Sequence, residues 1–472
     1  MQANKIAWSA ALLALTTTLT SLTVPAAAAA TPITYNSDFN GDGYNDLAVG
    51  MPSYPAAVSG SGNTGLIAVL YGGPSGFTGR SHLRPEPGCM LYSINTPCSG
   101  WGASLAAADT DGNGKTDLIS SGTRARQIHS WTSGNDTSRQ IVTGTYTTME
   151  SLAFGLADHG DVRPDIVGTF RQGYGVGLGG WYNGGAFETT RLSPARDLSA
   201  RSAVIGDIHG DGRLEMMWVG LDITANSGPY LWYTGDLRNP SPDPFVMGSP
   251  QACADTSGTT KLACPKSDSK VTLGDVNGDG YRDLVMVTPS TGTINVWYGD
   301  KYGAGMTGVG FTARNLTWLT TLAQISTSLA TGDFDGDGAA DIAIGLPRAK
   351  VSDLDQAGAV ALIPGSPTGP VMSRTQIITQ DGIASPGGVP TADPVTEQSV
   401  ADDYFGASVS IIDLTGDGKG ELVAGAPGKN NGQGMLAVLP GTATGVPSSG
   451  QVVHADAAGL TGAGRFGSVL LH

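Results

Sequence analysis

DFNGDGYNDLAVGMP, residues 38–52, sets Asp38, Asn40, Asp42 and Asp46 within nine positions and then turns at once into an apolar run. Like charges this close repel, so Asp38, Asp42 and Asp46 either stay far out in water or share a cation. Counted from the first Asp, oxygen-bearing side chains fall at positions 1, 3, 5 and 9, with glycine at 4 and 6. A tight glycine turn lets alternate residues point inward, and calcium takes six to eight hard oxygens at about 2.3–2.6 Å.

The stretch recurs. DTDGNGKTDLIS begins at Asp109, DIHGDGRLEMMWVG at Asp207, DVNGDGYRDLVMVTP at Asp275, DFDGDGAADIAIGLP at Asp333 and DLTGDGKGELVAGAP at Asp413, with a shortened copy, DHGDVRPDIVG, at Asp158. That makes seven copies, their leading acids 49 to 80 positions apart. A second marker follows each copy after 20 to 35 residues, a β-type run closing near glycine: VLYGG, HSWTSG, GWYNGG, LWYTG, VWYG, LIPG and VLPG. A third precedes some copies, as WGASL at Trp101, FGL at Phe154 and FGASV at Phe405, and stands once more at the end as FGSVLLH from Phe466. Phe405 precedes its loop by eight residues. The same count from Phe466 runs off the chain, so the tail reads as the opening strand of a repeat whose loop begins at Asp38. The segment Ile33 to Tyr35 competes for that slot.

Each repeat reads as strand, acidic loop, strand, turn, strand and connection. Alternation shows in DLAVG and DIAIG, and helical periodicity is nearly absent. Small sheets repeated radially bury their faces against one another and leave only short edges. The pattern predicts an all-β fold, a seven-bladed β-propeller with calcium-binding hairpin loops, spanning residues 31–472 as one domain. Pairing of the N- and C-terminal segments would close the ring. An open β-solenoid is the alternative, but it calls for terminal caps, not a matching head and tail.

The candidate calcium ligands follow from the register. They are Asp38, Asn40, Asp42 and Asp46 with the Tyr44 carbonyl; Asp109, Asp111, Asn113 and Asp117 with the Lys115 carbonyl; Asp275, Asn277, Asp279 and Asp283 with the Tyr281 carbonyl; and Asp333, Asp335, Asp337 and Asp341 with the Ala339 carbonyl. The last copy offers Asp413, Thr415, Asp417 and Glu421 with the Lys419 carbonyl, a hydroxyl at position 3 and a longer acid at position 9. Asp207, Asp211 and Glu215 form the weakest full copy, because His209 stands where an oxygen belongs. Asp158, Asp161 and Asp165 have lost a residue from the spacing and are expected to hold no metal. About five Ca²⁺ sites result. Magnesium, which demands a stricter octahedron, fits less well. An EF-hand needs a bidentate Glu at position 12, where this chain has Val49, Ser120, Trp218, Met286, Ile344 and Ala424. Solvated acidic turns without metal are the remaining reading. The loops hold 22 of the chain's 41 acids, so bound cations would cancel much of its charge.

Bulk composition agrees. Glycine stands at 70 of 472 residues and charged residues at 14%, which suits short strands and tight turns. The net charge of −15 argues against nucleic acid as a partner, because no basic patch could engage phosphates. Residues 1–30 carry one charge, Lys5, then an apolar, Thr-rich middle and Ala28-Ala29-Ala30, the layout of a secretory signal peptide. The apolar middle is long enough that an uncleaved anchor is the alternative. No later segment is apolar enough to span a bilayer. In an exported, monomeric protein the four cysteines suggest two local disulfides, Cys89–Cys98 and Cys253–Cys264; buried free thiols are the other reading.

The D-x-[ND]-x-D-G-x-x-D loop, followed by DLAVG-x-P and preceded by FG-x-S, resembles the FG-GAP repeats of integrin α-subunit propellers and of secreted bacterial proteins built from them. The resemblance implies calcium-binding β-hairpins within seven-bladed propellers. The chain departs from the pattern in its third and fourth repeats, where the markers are eroded.

Function reads in two ways. One is an extracellular binding or adhesion module with structural calcium, its glycan or protein ligand met by the connections at 72–100, 236–270 and 367–403. Trp181, Tyr182, Trp232, Tyr233, Trp297 and Tyr298 are candidates for stacking on sugars, but recurrence at equivalent strand positions favours a place between blades. The alternative is an extracellular enzyme on a propeller scaffold, a calcium-assisted polysaccharide lyase or a hydrolase. Neither G-x-S-x-G nor H-E-x-x-H is present, and only His159 and His209 touch the acidic loops.

Overall fold

All strand pairings within the sheets are antiparallel in the computed structural model, as short hairpins separated by acidic loops and tight turns require. The structure describes residues 37–55, 64–84, 100–108, 115–122, 198–222, 225–236, 245–248, 265–301, 312–313, 316–323, 328–384, 393–443, 445 and 449–471. Between 128 and 191 it describes only the backbone of short strands. The leader, residues 33–35, all four cysteines, Asp109, Asp111, Asn113, the Asp158 loop, Trp181 and Tyr182 lie outside the described residues.

Among the described residues, seven sheets have four or five strands, and a two-stranded piece joins Leu156–Ala157 to Asp165–Ile166. In the sixth sheet, Ser328–Gly332, Asp341–Leu346, Ala359–Ile363, Gln376–Thr379 and Gly382–Ala384 lie side by side in chain order. The seventh repeats the plan with Val409–Ile412, Glu421–Ala426, Met435–Leu439 and Gln451–His454. The first sheet breaks chain order, because the edge strand beside Leu47–Met51 is the C-terminal Val469–Leu470, with Val49 opposite Leu470. The matching head and tail of the sequence are therefore one sheet.

Second strands such as Leu47–Met51 and Asp341–Leu346 are buried along their whole length. Their alternation is of large and small residues, not apolar and polar, because both faces pack on neighbouring sheets. Leu47, Val49 and Leu66 share a core with Val423, Leu436 and Val453 of the seventh sheet. Ala48, Ile67 and Val69 share another with Trp101 and Leu118 of the second. Further cores join the fourth sheet to the fifth, the fifth to the sixth and the sixth to the seventh. A cavity of about 330 Å³ is lined by Leu471, Leu105, Val204, Thr272, Thr331 and Ile411, which come from six different sheets. Trp232 and Trp297 are buried, Trp297 in the core between the fourth and fifth sheets, and Trp232 stacks on Trp218 at 6.0 Å between centroids. Packing is therefore their role. Helix is scarce, although a seven-residue helix, Thr317–Ala323, was not signalled by periodicity.

The FG and GAP markers meet. Gly358 bridges to Phe405, and Gly434 to Phe466. A Cβ on Gly345 would lie 2.0 Å from the Gly406 carbonyl oxygen, and one on Gly425 would lie 2.1 Å from that of Gly467. The glycine of one repeat's GAP is thus the seat for the FG of the next.

Candidate metal loops

Five loops are described closely enough to compare, and all close in the same way. The position-1 carboxylate accepts backbone N–H bonds from further round its own turn. Asp38 takes Gly41, Asp42 and Gly43 at 2.6, 3.1 and 2.8 Å; Asp333 takes Gly336, Asp337 and Gly338 at 2.7, 3.1 and 3.0 Å. Asp207, Asp275 and Asp413 behave alike. At position 5, Asp42, Asp211, Asp279, Asp337 and Asp417 each accept the N–H of position 7. These bonds fold the turn so that its acids converge, and a carboxylate with four lone-pair sites keeps acceptors to spare.

Position 9 is buried and has a second task. Asp46 accepts Phe39 N at 2.8 Å and Gly72 N at 2.9 Å. Asp283 takes Val276 and Gly299, and Asp341 takes Phe334 and Gly365. The first glycine of VLYGG and the glycine ending VWYG and LIPG are therefore donors to the acid that ends the loop, which explains why the two markers travel together. Burial pushes the carboxyls of Asp46, Asp341 and Glu421 up to about 7 and that of Asp283 to about 8, against hydrogen bonds that pull the other way.

A divalent cation fits this chemistry best in the sixth loop. Asp333, Asp335 and Asp341 each bring a carboxylate oxygen within 4.8 Å of the others. Oδ1 of Asp335 is buried and finds no hydrogen-bond donor among the described residues. Arg374 approaches its other oxygen only at 3.7 Å. A buried anionic oxygen without a donor is costly, and a hard cation shared with Asp333 and Asp341 would relieve it. Asp337 is exposed and is not part of that group. In the first and fifth loops the position-3 amide turns to its neighbour, as Asn40 Nδ2 donates to Asp42 at 3.0 Å and Asn277 to Asp279 at 2.9 Å. In the seventh, Thr415 donates to Glu421 at 3.2 Å and Lys419 lies 3.5 Å from Asp417, so charge is partly met from within. His209 is buried and held between the Asp300 carbonyl at 2.9 Å and the Tyr233 hydroxyl at 3.3 Å. Its ring ties two sheets together in place of an oxygen ligand. Of the second loop, Lys115 and the fully buried Asp117 are described.

One role was hidden in the sequence. The position-7 side chain covers the position-4 glycine of the preceding loop: a Cβ on Gly416 would meet Tyr44 at 3.1 Å, one on Gly210 Tyr281 at 3.1 Å, one on Gly336 Lys419 at 2.9 Å, and one on Gly41 Lys115 at 3.4 Å. Backbone bonds run the same way, from Ala340 N to Asp275 O at 2.6 Å and from Gly420 N to Asp333 O at 2.7 Å. Each described loop is roofed by the next, including the seventh by the first.

Residues 38–120 and 275–344 match the FG-GAP-like repeat family, and 326–363 and 405–439 match the FG-GAP repeat family. Phosphatidylinositol-glycan-specific phospholipase D of Rattus norvegicus is 36% identical over 130 residues, 26% of this chain and 13% of that protein. Integrin alpha-IIb of Mus musculus is 41% identical over 90 residues, 17% of this chain and 7% of that protein. The matched stretches thus span a small part of both relatives. An Agrocybe aegerita lectin that recognises non-reducing terminal N-acetylglucosamine shares the fold at a TM-score of 0.50 and 14% identity, over 90% of this chain and 94% of that one.

Proposed function

The chain carries FG-GAP repeats, and from that premise we propose a secreted, calcium-binding, seven-bladed β-propeller that acts as an extracellular binding or adhesion module. Calcium is structural in this reading. The observation that carries it is the buried, donorless Oδ1 of Asp335 beside Asp333 and Asp341. Loops that roof one another from the seventh to the first support ring closure. When bound, the ion supplies positive charge to acids that otherwise repel at the ends of neighbouring sheets. The sites are the loops opening at Asp38, Asp109, Asp275, Asp333 and Asp413. With the acids engaged there, ligand contact falls to turns at the opposite ends of the strands, where Gly428 to Gly432 follow Glu421–Ala426. Export is supported by the signal-like first 30 residues.

Melting of the purified protein in EDTA and then in excess calcium, with metal content by elemental analysis, tests the scaffold. The expected result is about five ions per chain and a melting temperature that falls by many degrees on chelation and recovers with calcium. Unchanged melting and no bound calcium would overturn it. Retention on arrayed glycans or cell-surface proteins in calcium, and not in EDTA, tests the binding role.

A further inference from the structure

A polar cavity of about 990 Å³ opens beside the seventh sheet, at the end of Glu421–Ala426 away from its acidic loop. Three separate segments form it: residues 396–404, the turn from Gly428 to Gly432, and Arg465. Nine non-glycine residues adopt left-handed backbone among the described residues, and six of them line this one cavity: Thr396, Asp402, Tyr404, Asn430, Asn431 and Arg465. Asparagine and aspartate tolerate that conformation, whereas threonine, tyrosine and arginine are outliers in it. Outliers gathered from three segments mark a wall held in shape by its surroundings.

Buried ion pairs and hydrogen bonds hold that wall. Lys429 is buried, 3.3 Å from Asp403 and 3.4 Å from Glu397, and also donates to the Gln398 carbonyl. Asp403 Oδ2 further accepts Gln380 Nε2 and Val400 N, each at 2.9 Å. Glu397 binds His454 at 3.0 Å, and Asp402 takes Gln356 Nε2 at 2.8 Å. This network anchors the walls and consumes most of their charge. Glu397, Asp402 and Asp403 stand against Lys429 and Arg465, which leaves no strong preference for an ion.

What faces solvent is mixed. Val400, the exposed large hydrophobic of the described residues at 52%, sits on the rim. Tyr404 is half-buried, with the Arg465 guanidinium 5.8 Å from its ring centre. Around them, Asp402, Asn430, Asn431 and Thr396 are exposed donors and acceptors. An apolar spot ringed by carboxylate, amide and hydroxyl groups matches a pyranose, which has a C–H face and a hydroxyl edge. A cavity of this size accepts one or two such rings. We propose that it binds a neutral saccharide, and that it is the ligand site of the binding module proposed above, on which this inference rests.

The test is a printed array of neutral and anionic saccharides probed with the calcium-loaded protein, followed by calorimetry with a retained sugar on wild type, Asp402→Asn and Tyr404→Ala. Asparagine keeps the left-handed backbone at 402, so that variant should melt as wild type does. Retention of neutral saccharides, with affinity at least tenfold lower in Asp402→Asn at unchanged melting and calcium content, is expected. Retention of only anionic saccharides, of none, or of neutral ones with full affinity in both variants overturns the inference. Calcium-dependent melting would then still stand, whereas melting indifferent to calcium would sink the scaffold instead.

Discussion

Asn45 Nδ2 donates to the backbone carbonyl of Asp413 at 2.9 Å, across 368 residues of chain. The first acidic loop is thereby pinned to the seventh at the position where backbone N–H groups of Ala340 and Gly420 do the same work between other loops. Asn45 also closes its own loop, because its Oδ1 accepts Ser37 N at 3.1 Å.

Asn45→Ala removes both bonds and is expected to cost about 1–3 kcal/mol of stability. Asn45→Asp keeps the acceptor for Ser37 but sets a carboxylate oxygen against the Asp413 carbonyl, so it should cost as much or more. Urea denaturation in calcium checks both. Variants as stable as wild type would show that Asn45 adds nothing to the joint made by the strand Val469–Leu470 and the shared core.

A second expectation concerns the joint between FG and GAP. Gly345 has nowhere to put a methyl group: its Cβ would fall 2.0 Å from the Gly406 carbonyl oxygen and 2.1 Å from Ser328 Oγ. Gly338 has a left-handed φ of +89° but open space around it. Gly345→Ala should therefore prevent accumulation of folded protein or cost several kcal/mol, whereas Gly338→Ala should cost only about 1–2 kcal/mol of backbone strain. Soluble yield and thermal melting compare them, and equal effects would deny the joint.

Those glycines show what the sequence could and could not say. Spacing alone placed the acids at positions 1, 3, 5 and 9 and the tail beside the first repeat, because both are local patterns or repeats of one. Large and small residues alternating in DIAIG gave the strand. It did not give the reason, which is burial on both faces between sheets distant in sequence. Nor could any pattern within one copy reveal that Tyr44 roofs Gly416 or that Gly72 feeds Asp46. The partner of each lies in another repeat or across a hairpin, and the covering side chain varies from tyrosine to lysine to alanine. Asp335 and Asp337 looked equivalent; only burial separates them.

His209 offers a third test. Its ring replaces an oxygen with a bridge to Asp300 and Tyr233. His209→Asn returns an oxygen to position 3 and breaks that bridge. Calorimetric titration should find one more calcium ion per chain than in wild type, while melting in EDTA should fall. An unchanged count would mean that Asp207, Asp211 and Glu215 lack the geometry whatever stands at 209.

The position-9 acids make pH the most direct probe of the metal loops. Asp46, Asp341 and Glu421 carry carboxyls raised to about 7, and Asp283 to about 8, from ordinary values of 3.8 and 4.5, with burial the largest cause. Between those limits the metal-free folded chain binds more protons than the unfolded one, so its stability falls as pH rises. Calcium competes with the same protons. In saturating calcium the folded chain holds these acids deprotonated, as the unfolded chain already does over most of this window, so stability should hardly change with pH. Melting temperatures from about pH 5 to about pH 8 should therefore fall with pH in EDTA and stay nearly level in calcium. Parallel slopes would mean that the acids closing each loop do not share the ion, and that their burial serves the hairpin alone.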